Sequence, residues 1–197
     1  MKAIKFLIVE TSATYNNEVE LKSTGTKILV NSSIENVTYI NREVTVVSAP
    51  ENTILQKGDK VIVHHNILRN KLTTTGKKIL SDFHIKDNIY YVPLQEVFMF
   101  KRGDEQWKAI SPFCFVKPIK VEQPKTASGL ILSTKEVTHK GMEKNRGILH
   151  YSNEILDEMG VFPNDKVIFS DYSEYEFTID GELLYKMSVN DILAKVD

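Results

Sequence analysis

The turn-and-strand unit Gln56-Lys57-Gly58-Asp59-Lys60-Val61-Ile62-Val63 recurs as Phe162-Pro163-Asn164-Asp165-Lys166-Val167-Ile168-Phe169, and this repeat constrains the fold more than any other feature. A repeated supersecondary unit implies that one local architecture is built twice along the chain. Asp59 and Asp165 occupy matching places, as do the apolar runs after them. Gly58 and Asn164 also match, and these residue types enter most easily the left-handed region a tight turn demands. A second pair follows in the same order. Asn88-Ile89-Tyr90-Tyr91-Val92-Pro93-Leu94-Gln95-Glu96-Val97-Phe98 parallels Leu183-Leu184-Tyr185-Lys186-Met187-Ser188-Val189-Asn190-Asp191-Ile192-Leu193. Each copy reads as an apolar strand, a short polar turn with an acidic residue, and a closing strand. Two matches in one order make duplication the better reading. The first copy is longer between its landmarks, and residues 66–76, with their Lys, Thr and Gly, read as an inserted solvated loop.

Short runs rich in β-branched and aromatic residues surround these landmarks. They fall at residues 6–9, 27–30, 43–47, 60–63 and 89–92, then at 113–116, 119–121, 130–132, 147–151, 166–169 and 183–187. Nothing long is helical. Residues 152–159 allow one turn or two, with Ile155 and Met159 four apart and Gly160 as the stop. The pattern predicts an all-β fold of two tandem irregular β-barrels. Arg102-Gly103-Asp104-Glu105 interrupts the apolar pattern, which puts the domains at 1–104 and 105–197, each the size of a small domain.

Charge and composition exclude several functions. Lys and Arg total 25 against 26 acidic residues, so the chain lacks the positive surplus by which nucleic-acid binders displace counterions. No apolar stretch approaches the length of a membrane span, and the short run after Lys5 reads as a first strand rather than a leader. Cys114 is the single cysteine, so no internal disulfide framework exists; its apolar neighbours Phe113, Phe115 and Val116 predict a buried thiol. A cytoplasmic compartment follows. Of five histidines only His64 and His65 are adjacent, and on a regular strand they would face opposite ways. With no phosphate cradle, nucleophile elbow or metal-ligand spacing, the reading is of a protein that is not an enzyme, with no catalytic, cofactor or metal residues.

One segment invites a binding role. Lys125-Thr126-Ala127-Ser128-Gly129-Leu130-Ile131-Leu132 sets an apolar tripeptide among small and polar residues, and the polar stretch resumes from Thr138 to Asn145. A long loop without a core pattern is functional or disordered. On the residues alone, Leu130, Ile131 and Leu132 read either as an internal strand or as a tripeptide that docks in an apolar groove on a partner.

The second half resembles the co-chaperonin family, the GroES-like ten-kilodalton partners of chaperonins. The resembling pieces are residues 125–132, Arg146-Gly147-Ile148-Leu149, residues 163–169 and residues 187–196. That resemblance implies an irregular β-barrel, a homo-oligomeric ring that caps an ATP-driven chaperonin ring, and a mobile loop whose turn and tripeptide bind the chaperonin. Here the role falls to Gly129, Leu130, Ile131 and Leu132, with Ser128 where the family commonly has a second glycine. Residues 1–100 resemble the family more weakly, with Gly25, Ile28, Leu29 and Val30 as a second loop. Residues 48–55 and 152–161 occupy the place of the family's dome roof and are short. Shortened roofs resemble viral members, which admit a bulky capsid-protein client in the host cytoplasm; tandem copies resemble the double form of plastids. The competing reading is a structural or assembly adaptor that reuses the duplicated barrel without a chaperonin.

Overall fold

The computed structural model describes residues 1–16, 18–20, 26–29, 36–121, 137–138 and 140–196. The chain divides into two compact units, Met1–Trp107 and Lys108–Asp197. In both, most of the regular structure among the described residues is strand.

The first unit contains β1 (Leu7–Glu10), β2 (Glu18–Glu20), β3 (Lys27–Leu29), β4 (Glu43–Ser48), β5 (Lys60–Val63), β6 (Lys71–Leu72), β7 (Lys78–Ile79), β8 (His84–Lys86), β9 (Ile89–Val92) and β10 (Val97–Lys101). Its sheet runs β10-β5-β4-β1-β9-β8, with antiparallel neighbours throughout. The pairs β2–β3 and β6–β7 form separate two-stranded ribbons. The second unit opens with β11 (Lys108–Ala109). There follow β12 (Phe113–Lys120), β13 (Met142–Tyr151), α1 (Glu154–Glu158), β14 (Lys166–Phe169), β15 (Tyr175–Ile179), β16 (Glu182–Ser188) and β17 (Ile192–Val196). Here the order is β17-β14-β13-β12-β16-β15, again antiparallel.

Strand for strand the two orders are the same, and so is the register of the four inner pairings; the outer pairing differs, since β8–β9 slips between His84 and Lys86 and β15–β16 does not. Glu43 and Val44 face Ile62 and Val61, as Arg146 and Gly147 face Ile168 and Val167. The β1–β4 pairing slips between Ile8 and Val9; the β12–β13 pairing slips at the matching place, between Phe115 and Val116. The closing strands carry the same irregularity, at Val97/Met99 in one unit and opposite Ile168/Phe169 in the other. A bulge puts one residue out of the ladder and bends the strand, so matching bulges mean matching curvature.

Alternation then fills each interior. Leu7, Val9, Val46, Val61, Val63, Tyr90 and Val92 are buried in the first unit. Cys114, Val116, Leu149, Val167, Phe169, Tyr185 and Met187 are buried at the corresponding register positions of the second. The cores differ in content but not in plan. Leu156 adds to the second from α1, whose first turn is capped by Asn153: its Oδ1 accepts from the amides of Ile155 and Leu156, and its Nδ2 donates to the Phe113 carbonyl at 2.7 Å. Gly160, at φ +76°, follows the helix.

The repeated turn behaves alike in both units. Gly58 has φ +92° and Asn164 φ +77°, the left-handed region expected of those residue types. Asp59 Oδ2 accepts from Gln56 N at 2.9 Å, and Asp165 Oδ2 from Phe162 N at 2.7 Å. The neighbouring strand closes the turn identically: Gly58 N donates to Val46 O and Asn164 N to Leu149 O, each at 2.8 Å.

Several strands extend beyond their sequence signal. β13 starts at Met142 rather than near Gly147, because pairing with β12 recruits polar Glu143, Lys144 and Asn145 into the ladder. Residues 119 and 120 continue β12 instead of forming a strand of their own. The inserted loop of the first unit carries the small β6–β7 ribbon, and the stretches at residues 84–86 and 175–179 are outer strands that periodicity did not single out.

Candidate docking segments

In each unit one long connection leaves the sheet at the same topological point, between β1 and β4 in the first and between β12 and β13 in the second. Gly129, Leu130, Ile131 and Leu132 belong to the second connection and lie outside the described residues. The described residues before and after that stretch are tied together. Lys120 pairs with Met142, Val121 N donates to Gly141 O at 2.9 Å, and Val137 bridges to Glu143. Thr138 closes a turn there, accepting from Gly141 N at its carbonyl and from Met142 N at its hydroxyl. Glu143, whose side chain is only 4% exposed, stands at this base with Arg146 Nη1 at 3.4 Å and Lys166 Nζ at 3.7 Å. Two cations beside a desolvated carboxylate offset its loss of hydration.

The first connection is partly described. β2 and β3 pair with Glu18 opposite Leu29 and Val19 opposite Ile28. Ile28 and Leu29 are 47% and 55% exposed, so two apolar side chains of the second candidate set stand in solvent on a ribbon. Gly25 and Val30 of that set lie outside the described residues. The base of the ribbon is clamped by polar groups that motif reasoning missed. Asn41 Nδ2 donates to Thr11 Oγ1 at 3.1 Å and to Ala13 O at 2.9 Å, Asn16 Nδ2 reaches Asn41 Oδ1 at 3.5 Å, and Tyr15 bridges Ile40. Thr11 and Asn41 are buried, and Asn88 bonds the Thr11 backbone from the neighbouring strand. Their only sequence signal is their residue type beside a strand end.

The repeated aspartates serve structure. Arg102 grips Asp59 through Nε at 2.9 Å and Nη2 at 2.8 Å, and its Nη2 also donates to Ile54 O. Lys195 holds Asp165 at 2.7 Å and donates to Gly160 O at 3.3 Å. In both units the cation ties the turn to the carbonyl two residues before it. The Arg102 hydrogen bonds hold the Asp59 carboxyl below its ordinary pKa, and Lys195 does the same for Asp165.

His64 and His65 do not sit on a regular strand. The chain leaves β5 at Val63 and enters a 3-10 turn, His65–Ile67, which brings the rings to 4.2 Å and 32° of each other. Desolvation, then the neighbouring His64, pushes the His65 pKa down to about 4. Burial raises the Cys114 thiol to about 12, so it stays protonated. Among the described residues no group of three His, Cys, Asp or Glu could hold a metal ion, and no helix is long and apolar enough to cross a membrane.

Each unit is thus an antiparallel scaffold of strands with a long connection between two neighbouring strands of its sheet. The model of the chaperonin 10 kDa subunit family matches residues 106–196. The co-chaperonin GroES of Thermotoga neapolitana is 39% identical over 84 residues, which cover 42% of this chain and 86% of that protein. The co-chaperonins GroES of Petrotoga mobilis, over 84 residues, and of Syntrophomonas wolfei, over 86, are each 38% identical; the matches cover 42% of this chain and 86% and 88% of theirs. The chain belongs to the co-chaperonin family. Its role is that of a non-enzymatic co-chaperonin.

Proposed function

We propose that the chain forms a homo-oligomeric ring that caps an ATP-driven, GroEL-like chaperonin and docks through Gly129, Leu130, Ile131 and Leu132. The observation that supports this reading is that residues 122–136 fall inside the family match in sequence, and that the described residues on either side, Val121 and Val137, are tied to Gly141 and Glu143 at the start of β13. Burying each of the three apolar side chains in a groove gains about 1.5–3 kcal/mol, and ordering each residue costs about 1–2 kcal/mol. One loop therefore binds weakly, and a ring of loops acts by multivalency. The first unit is a second barrel of the same kind, a reading supported by its identical strand order and by matching slips in the β1–β4 and β5–β10 pairings. Its domain limits follow the break at residues 104 and 105. Ile28 and Leu29, exposed on the β2–β3 ribbon, add a weaker contact together with Gly25 and Val30. The client is an unfolded protein, and the short roof segments at residues 48–55 and 152–161 suit a bulky one such as a capsid protein.

Retention of the purified chain on an ATP-loaded chaperonin ring tests this. Changing Leu130, Ile131 and Leu132 together to serine should abolish retention while leaving the far-UV circular dichroism unchanged. Changing Ile28 and Leu29 to serine should weaken retention several-fold. Retention that survives the triple substitution sinks the docking assignment. Failure of the unmodified chain to bind favours the adaptor reading.

A further inference from the structure

The described residues on either side of residues 122–136 are pinned to one short stretch of the second unit, residues 141–143. Before the segment, Val121 N donates to Gly141 O at 2.9 Å. After it, Val137 bridges Glu143, Thr138 N donates to Met142 O at 2.8 Å, and Met142 N donates to the Thr138 hydroxyl at 3.2 Å. Gly141, at φ +76°, turns the chain from Thr138 into β13. Residues 141–143 therefore anchor both ends of the candidate docking segment.

That anchor lies outside one of the ladders that flank β13. The pairing with β14 runs from Arg146 to Ile148, so residues 142–145 are beyond it. Charged and polar side chains take over there. Lys140 Nζ donates to both carboxylate oxygens of Glu176, at 2.5 and 2.7 Å. Asp171 Oδ1 accepts from Asn145 Nδ2 at 2.8 Å and lies 3.5 Å from Lys144 Nζ. Glu176 belongs to β15 and Asp171 to the connection before it, and in the sheet β12 and β16 stand between β13 and β15. These contacts thus join elements that are not neighbours in the ladder. In the first unit the matching root is held by the neutral groups of Thr11, Asn16 and Asn41.

We propose that Lys140 and Glu176 are positioning residues for docking: their ion pair latches the root of the segment to β15 and so fixes how Gly129, Leu130, Ile131 and Leu132 are presented. This role rests on the docking reading above. Lys140 is the latch because it sits in the turn between Thr138 and Met142, whereas Lys144 and Asn145 act further along β13. Docking must order whatever is not already fixed, so a root held in advance lowers that cost. The pair is half-exposed, with side chains 45% and 42% accessible, and contributes little to the fold. In a ring the contribution recurs at every subunit, which multiplies a small effect per segment.

The test measures docking of the full chain on an ATP-loaded chaperonin ring, beside thermal melting without chaperonin. Lys140→Glu and Glu176→Lys should each weaken docking at least about fivefold. Their melting temperatures should stay within about 3 °C of the parent's. Combining Lys140→Glu with Glu176→Lys restores an ion pair and should recover most of the loss, and Lys140→Arg should dock like the parent. A contact that served stability alone would move melting and docking together. Hydrogen exchange reads the latch with no chaperonin present: the Thr138 and Met142 amides should exchange faster in Lys140→Glu and return to the parent's rate in the charge swap. The positioning role is overturned, with docking itself intact, if the parent docks and Lys140→Glu docks as tightly, or if the swap recovers nothing. Unchanged exchange at Thr138 and Met142 in Lys140→Glu equally overturns it. A parent chain that does not dock overturns the docking reading and this role with it.

Discussion

Asp59 and Asp165 show how one side chain organises a corner. Each carboxylate accepts at Oδ2 from the backbone amide three residues earlier, and the same oxygen is bonded by a cation from near the end of its unit, Arg102 or Lys195. Asp59 is the more buried, at 2% side-chain exposure, and its replacement by alanine frees Gln56 N and breaks two charge-assisted bonds from Arg102. Asp59→Ala should lower stability by about 1–3 kcal/mol in urea unfolding, with Asp165→Ala acting in the same direction and less. Acid probes the same groups. The folded pKa of each aspartate lies below its unfolded value of 3.8, so their stabilisation is present above that value and is lost as pH falls through the folded pKa. His65 acts earlier. Its folded pKa, about 4, lies below the ordinary 6.5, so the unfolded chain takes up the proton first and stability falls as pH drops from 6.5 to 4. Thermal melts of His65→Asn should flatten across that window; a slope equal to the parent's would discard the assignment. The repeat made the aspartates visible in the sequence, but not Arg102 and Lys195, because Arg102 and Lys195 do not align: Lys195 matches Phe100 in register.

At the level of elements, β13 carries the tightest constraint. A Cβ on Gly147 would meet Val116 Cγ1 at 2.2 Å and the Lys117 carbonyl oxygen at 2.8 Å, where β12 passes with Pro118 opposite. The register-matched residue in the first unit is Val44, buried at 2%. The two units thus solve one crossing differently, and the residues cannot be exchanged. Gly147→Val should cost about 1–3 kcal/mol or more by overpacking against backbone, read by thermal melting, whereas Val44→Ala loses only side-chain burial. The resemblance marked residues 146–149 as a family piece; only the close approach of β12 supplies the reason for the glycine.

For the whole molecule, two units each with its own core and closing strand predict that damage stays local. Hydrogen exchange on Gly147→Val should rise across residues 108–196 and remain at the parent's level across residues 1–107. Equal acceleration in both units would contradict that separation. Short-range information told most of the architecture: β-branched runs, Gly58 and Asn164 at turns, and paired landmarks in one order prescribe strands, corners and repetition, since all are written in neighbouring residues. Gly129, Leu130, Ile131 and Leu132 were singled out by a local pattern and given a docking role only by the family resemblance, and they lie outside the described residues. The clamp of Thr11, Asn16 and Asn41, the buried Glu143 between two cations and the Lys140–Glu176 pair had no such signal. Each depends on which distant backbone lies opposite and how deeply a polar group is desolvated, and those are decided only when the strands pair.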